Sequence, residues 1–176
     1  MEERLILVDE SDVEIGVGSK LDVHLKGIRH RAFSIFLWNE RGELLLQRRA
    51  PTKYHSAGLW ANTCCGHPRP EEQVKRAAAR RLGEELGMEA DLYENGVYGY
   101  VARMSNSLIE NELVHLFSGH ALGEPVPNPE EVDLLKWIAP EDLLADFASN
   151  PGDYAPWFAL YLSEIPSRIF ALPKAA

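Results

Sequence analysis

From Glu71 to Leu86 the chain reads EEQVKRAAARRLGEEL, a helical pattern that Pro68 and Pro70 open and Gly87 closes where a left-handed C-cap is favoured. Placed on a helical wheel, Val74, Ala77, Ala78, Leu82 and Leu86 share one arc, the face expected to pack on a sheet. Arg81 and Glu85 fall in the middle of that arc. Being four apart they can pair, and a buried ion pair fastening helix to sheet is one account of them. Desolvation leaves such a pair no better for stability than apolar residues. The other account is that this face closes over a polar cavity in which Glu85 meets a cation and Arg81 an anion. Glu84 lies at the edge of the arc, and Glu72 and Arg80 lie outside its centre, where capping, solvation or loop anchoring explains them.

The helix needs a sheet, and the flanking sequence supplies one. Ile6–Val8 and Val13–Gly16 predict two strands around the turn Asp9–Asp12, and Ala32–Trp38 with Glu43–Arg48 predict a hairpin around Asn39–Gly42. After the polar loop Pro51–Gly58, Leu59–Cys64 reads as a short strand. Beyond the helix, Gly96–Ala102 and Glu112–Phe117 predict strands around Ser105-Asn106-Ser107, and a loop at Glu124–Pro129 leads to a strand at Leu134–Ile138. From Pro140 on, Leu143, Leu144, Phe147, Trp157, Phe158, Leu160 and Tyr161 are most simply helical. The pattern predicts one domain over residues 1–176, of mixed α/β (α+β) class, with helices against a mixed β-sheet.

A net charge of −9 with scattered basic residues argues against nucleic acid or an acidic membrane as partner, since a phosphate backbone demands a broad positive face. Short clusters such as Gln47-Arg48-Arg49 and Arg80-Arg81 can still hold a small anion. No apolar run reaches the ~18 residues of a membrane span, and the acidic start MEERLILVDE is unlike a signal peptide, so a cytoplasmic protein is expected.

Cys64 and Cys65 are adjacent, which excludes a staple between them, and the C-x-x-C spacing of a redox motif is missing. Core packing, metal ligation and nucleophilic or acid–base reactivity stay open. Glu110 and Glu112, two apart on a predicted strand, project from one face; held close, they call for a cation or a raised pKa. A solvated pair is the bland alternative. Of the six histidines, His24 and His30 precede the Ala32 strand and His67 follows the cysteines, and each taken alone is more simply a surface or hydrogen-bonded residue. His115 points away from Glu112, His120 lies past the predicted strand, and both are left out of the site together with His55.

The stretch from Gly66 reads glycine, five residues, Glu72, seven residues, then Arg80-Arg81-Leu82-Gly83-Glu84-Glu85-Leu86-Gly87-Met88. It resembles the Nudix box at every fixed position except Arg81, which stands where Nudix hydrolases carry a glutamate. Asn62–Pro68 with a cysteine before Gly-His-Pro, Arg31-Ala32-Phe33-Ser34, Arg48-Arg49-Ala50 and Glu110-Asn111-Glu112 are together similar to type I isopentenyl diphosphate isomerases, a family with arginine at the deviant position. The likeness runs from His24 to Pro156-Trp157.

The resemblance implies a Nudix-type mixed β-sheet sandwiched by helices and the isomerisation of isopentenyl to dimethylallyl diphosphate, the allylic starter of isoprenoids. It implies that His24, His30, His67, Glu110 and Glu112 bind one Mn²⁺, Zn²⁺ or Mg²⁺, and that Glu85 binds a Mg²⁺ bridging to the diphosphate. Cys65 and Glu112 would be the acid/base pair, with Tyr100 assisting and Trp157 facing the cationic intermediate. Arg49, Lys53 and Arg81 would hold the diphosphate, and Cys64 would be a packed neighbour. A monomer acting on a small diphosphate, without nucleic acid or membrane, is the corresponding expectation. Two other readings compete. A nucleotide-cleaving Nudix hydrolase would need a metal-bound carboxylate at Arg81, and a silent zinc module would bind through Cys64 and Cys65 and unfold on chelation.

Overall fold

The computed structural model describes residues 3–53, 55–104 and 107–172. Among these residues nine strands form one mixed sheet: β1 (Arg4–Val8), β2 (Glu14–Ser19), β3 (His30–Trp38), β4 (Leu44–Arg49), β5 (Trp60–Ala61), β6 (Cys64–Gly66), β7 (Tyr93–Arg103), β8 (Ile109–His120) and β9 (Val132–Ile138). The helices are α1 (Lys20–Lys26), α2 (Val74–Leu86), α3 (Pro140–Ser149), α4 (Pro156–Glu164) and α5 (Pro166–Ile169), with a 3₁₀ turn at Pro151–Asp153. No helix among the described residues is long and apolar enough to cross a membrane.

Strand β3 is the spine. One edge runs parallel to β8 over its whole length, from His30 opposite Glu112 to Trp38 opposite His120. The other edge meets three partners in succession: β1 at His30, β6 at Phe33–Ile35 and β4 at Trp38. Because side chains alternate across a strand, Ala32, Phe36 and Trp38 pack beneath Trp157, Phe158 and Tyr161 of α4, while Phe33, Ile35 and Leu37 meet Ala77, Ala78, Leu82 and Leu86 of α2. The sheet therefore has a core on each face and a helical layer over each.

The expected β3/β4 hairpin pairs only at Trp38 and Leu44, after which its strands splay. The strand expected at Leu59–Cys64 is split for the same reason, β5 pairing with β4 and β6 with β3. Asn62 and Thr63 bridge the gap. Thr63 Oγ1 donates to Leu45 O (2.7 Å) and accepts from Leu37 N (2.9 Å), and Asn62 Nδ2 donates to Ile35 O (3.2 Å) and Cys64 O (2.8 Å). Short-range periodicity cannot show a strand changing partners.

Helix α2 starts at Val74 rather than Glu71, because Glu71 adopts a left-handed conformation (φ 67°) that no helix continues. Glu72 instead anchors the loop, accepting from Arg69 N at 2.9 Å and pairing with Arg80 at 2.8 Å. Gly87 closes the helix at φ 61°, as expected. Strand β8 extends to His120, beyond the expected end at Phe117. Ser105 and Asn106 of the expected turn lie outside the described residues, whereas Ser107 has φ 67°.

Candidate active site

Three elements converge on the two carboxylates of β8. Helix α1, capped by Ser19 and closed by Gly27 (φ 62°), presents His24; β3 begins with His30; His67 follows β6. His24 and His30 are at most 1% exposed. His24 Nδ1–H donates to Lys20 O (2.6 Å) and His30 Nδ1–H to Ile28 O (2.9 Å), which leaves both Nε2 atoms turned toward Glu110 and Glu112. His24 Nε2 lies 3.0 Å from Glu110 Oε2, and His67 Nε2 lies 2.9 Å from Glu112 Oε1. His30 Nε2 lies 3.5 Å from Glu112 Oε1 and 3.8 Å from Glu110 Oε2.

One ligand atom from each of His24, His30, His67 and Glu110 falls within 4.8 Å of the others. His30 Nε2 is buried and has no hydrogen-bond partner. Three imidazole nitrogens and two carboxylates around an orphaned buried nitrogen fit a divalent cation, and two of the imidazoles already have the outer Nδ1–H···O=C bonds that metal-bound histidines carry. Without that charge, burial alone would lower the His67 pKa, but the Glu112 and Glu3 carboxylates raise it to about 9. Burial alone would raise that of Glu112, but His30 and His67 hold it well below the carboxylate range.

Tyr100 sits directly across from Glu112 in the β7/β8 ladder and donates its hydroxyl proton to Glu112 Oε2 at 2.6 Å. Cys65 lies on the other flank of β3, opposite Ser34, whose hydroxyl is 3.1 Å from that of Tyr161. The adjacent cysteines face opposite ways. Cys64 is 0% exposed in the core under α2, whereas Cys65 packs on the α4 side and lines a cavity of about 740 Å³. Burial pushes the Cys65 thiol up to about 12, Arg49 opposing, so it keeps its proton at neutral pH.

Trp157, at the start of α4 and 4% exposed, donates Nε1–H to Asn62 Oδ1 at 3.2 Å and lines the same cavity. The Arg49 guanidinium lies 5.1 Å from the centre of its ring. Arg49, Lys53, Arg81 and Glu85 line the cavity as well. Lys53 pairs with Glu131 (2.5 Å), and Arg81 pairs with Glu85, Glu84 (3.0 Å) and Glu131 (3.4 Å). Gln47 Nε2 steers Glu85 from behind, donating to its Oε2 at 2.9 Å. Arg81 and Glu85 do pair, and the pair lies at a cavity wall. A Cβ on Gly66 would come within 3.1 Å of Phe33 and 3.5 Å of Arg81, which explains glycine at the start of this segment.

Among the cavity residues that sequence reasoning missed are Glu131 and His55. Glu131 follows the Pro-rich loop, where no periodicity marked it. His55, set aside with His115 and His120, is 9% exposed and places Nε2 3.5 Å from Glu110 Oε1. Burial and Arg49 lower its pKa to about 3, so it is neutral. His115 does point away, between Glu94 (2.6 Å) and Asp12 (2.9 Å), and His120 is exposed.

The NUDIX domain model matches residues 28–158. The chain is 48% identical over 165 residues to an isopentenyl-diphosphate Delta-isomerase 1 of Aromatoleum aromaticum, covering 94% of this chain and 93% of that protein. It is 49% identical over 158 residues to the isopentenyl-diphosphate Delta-isomerase of Burkholderia multivorans, covering 90% of each. Among solved structures, a Deinococcus radiodurans protein superimposes with a TM-score of 0.76 at 24% identity, over 96% of this chain and all of that one. A MutT protein of Methanosarcina mazei gives 0.61 at 21% identity, over 77% and 91%; these two likenesses are of fold alone.

Proposed function

The chain belongs to the type I isopentenyl-diphosphate isomerases of the NUDIX superfamily, and on that premise we propose that it interconverts isopentenyl and dimethylallyl diphosphate with Cys65 and Glu112 as the proton-transfer pair. The observation that carries this reading is their placement. They line one cavity from opposite flanks of β3, with the Trp157 ring and the Arg49, Lys53 and Arg81 cations on its walls.

Moving the double bond adds a proton to the terminal alkene carbon and removes one from the allylic carbon, through a tertiary carbocation. An unactivated alkene is a very weak base, so the acid must be well placed and water kept away. The reaction runs both ways, so each group donates in one direction and accepts in the other. Cys65 brings a thiol that burial keeps protonated; Glu112 brings a carboxylate that Tyr100 steadies through its 2.6 Å hydrogen bond. A divalent cation held by His24, His30, His67, Glu110 and Glu112 would supply charge that favours the Glu112 carboxylate and strengthens its acid form. The donor set suits Mn²⁺, Zn²⁺ or Mg²⁺.

Trp157 offers the developing cation a π face, worth about 2 kcal/mol in a desolvated site. Arg49, Lys53 and Arg81 neutralise the diphosphate, with the Glu131, Glu84 and Glu85 contacts of Lys53 and Arg81 giving way to it. Glu85 would hold a Mg²⁺ that adds charge to neutralise that diphosphate. A monomer in a reducing cytoplasm, where a working thiol stays reduced, completes the reading. A hydrolase would need a carboxylate where Arg81 stands.

Incubation with isopentenyl diphosphate, Mg²⁺ and Mn²⁺ in deuterated water should yield dimethylallyl diphosphate carrying deuterium. Intact, unlabelled substrate or released phosphate would overturn the proposal.

A further inference from the structure

The cavity holds one imidazole that the mechanism above does not use. The loop between β4 and β5 brings His55 across the cavity to Glu110, whose two oxygens face different groups. Oε2 looks toward His24 (3.0 Å) and His30 (3.8 Å), where the cation would lie, and Oε1 looks toward His55 Nε2 at 3.5 Å. A carboxylate that ligates through one oxygen leaves the other in need of a donor, and such outer partners fix the ligand's angle.

His55 is built to be that donor. Arg49 Nη2 donates to its carbonyl oxygen at 3.2 Å, its Nδ1 lies 3.4 Å from Ser56 Oγ, and its ring stands edge-on to Trp157, with centroids 5.8 Å apart at 87°. Ser56 has φ 49°, a left-handed conformation that a serine keeps only where its surroundings enforce it. Ser56 Oγ also lies 3.8 Å from Met104 Sδ, a weak acceptor; with its proton given to the stronger acceptor Nδ1 rather than to that sulfur, the ring carries its own proton on Nε2, facing Glu110. At 3.5 Å the contact is longer than a settled N–H···O bond, and it is one that drawing the imidazole and carboxylate together would close.

We infer that His55 is a positioning residue that holds the outward oxygen of Glu110 and so sets this ligand for the three-histidine metal site. The inference rests on the metal-site reading under the proposed function. It also gives the loop a double task, since the segment that brings Lys53 to the diphosphate also carries the imidazole that steadies a metal ligand.

The test measures Mn²⁺ affinity of the full chain by competition with a chelating fluorophore, together with the melting temperature of each metal-free variant. His55→Leu keeps bulk and removes the donor, and should weaken Mn²⁺ binding about 10–100-fold while the metal-free melting temperature stays near that of the parent. His55→Gln, whose amide nitrogen can take the place of Nε2, should restore affinity to within about threefold. Parental affinity in His55→Leu, or equal weakening in Leu and Gln variants, would overturn the role of the N–H. If the parent itself bound no Mn²⁺ that His67→Ala removes, the metal-site reading would fall and the inference with it.

Discussion

The two faces of β3 start from the same alternating strand and end as different chemistry. Under α2, Phe33, Ile35 and Leu37 meet Cys64, Leu82 and Leu86 in an apolar layer. On the α4 side the same strand presents His30 and Ser34 between apolar neighbours, and Cys65, Tyr100, Trp157 and Glu112 surround a cavity rather than filling it. The contrast shows what a face that lines a cavity gives up. Every polar group turned inward there must find a partner, and the orphaned His30 Nε2 is one that has not. The paired cysteines carry the contrast in miniature, one residue apart and on opposite sides.

The sharpest way to break the comparison is to remove each thiol in turn. Cys65→Ala should cost about 10²–10⁴-fold in kcat with the urea midpoint held, while Cys64→Ala should keep kcat within a few-fold and lose about 1 kcal/mol of stability. The opposite pattern would exchange the roles of the two faces.

Metal removal should separate the faces physically. Withdrawing a cation present at 100 times its Kd costs about 2.7 kcal/mol, which for a chain of this length lowers Tm by about 5–10 °C. Hydrogen exchange should then quicken at His30–Ala32 and Glu110–Glu112 and stay slow across Ala77–Leu86. Uniform loosening would mean that the cluster supports the whole fold.

Trp157→Leu tests whether the cavity face stabilises charge or merely packs. A cation–π contribution of about 2 kcal/mol predicts a thirtyfold loss in kcat, about the factor for that energy. A drop in stability alone would reduce Trp157 to a core residue.

The smallest effect belongs to the rim of the α2 side. The Arg80 hydrogen bond holds the Glu72 carboxyl below its ordinary 4.5 against the opposing burial. A depressed folded-state pKa stabilises above the unfolded value and is lost as pH falls through the folded one. Glu72→Gln should therefore cost up to about 1 kcal/mol at pH 7, by urea denaturation, and next to nothing near pH 3. A cost that persists in acid would assign Glu72 a role other than its ion pair.

Much of this was legible in the chain. Helix α2 with its charged arc, the Glu110/Glu112 face and the opposed direction of His115 all follow from local periodicity, because a strand repeats every two residues and a helix every 3.6 or so. His55 and Glu131 were not legible, since both lie in loops where no period assigns a side chain a direction. The split of the Leu59–Cys64 segment was hidden for a related reason. Strand propensity is local, and the choice of partner depends on where β3 and β4 part company.

The sequence by itself determined the element types, the family pattern from Gly66 to Met88 and the residue types on which the proposed metal, thiol and diphosphate chemistry draws. Only the tertiary structure decided that Cys64 and Cys65 serve opposite faces, that His55 turns toward Glu110, and that Glu131 joins Glu85 around Arg81. The physical reason is range. Backbone sterics and side-chain periodicity act within a few residues, whereas a site assembled from α1, β3, β6, β7, β8 and α4 exists only once long-range strand pairing has brought them into register.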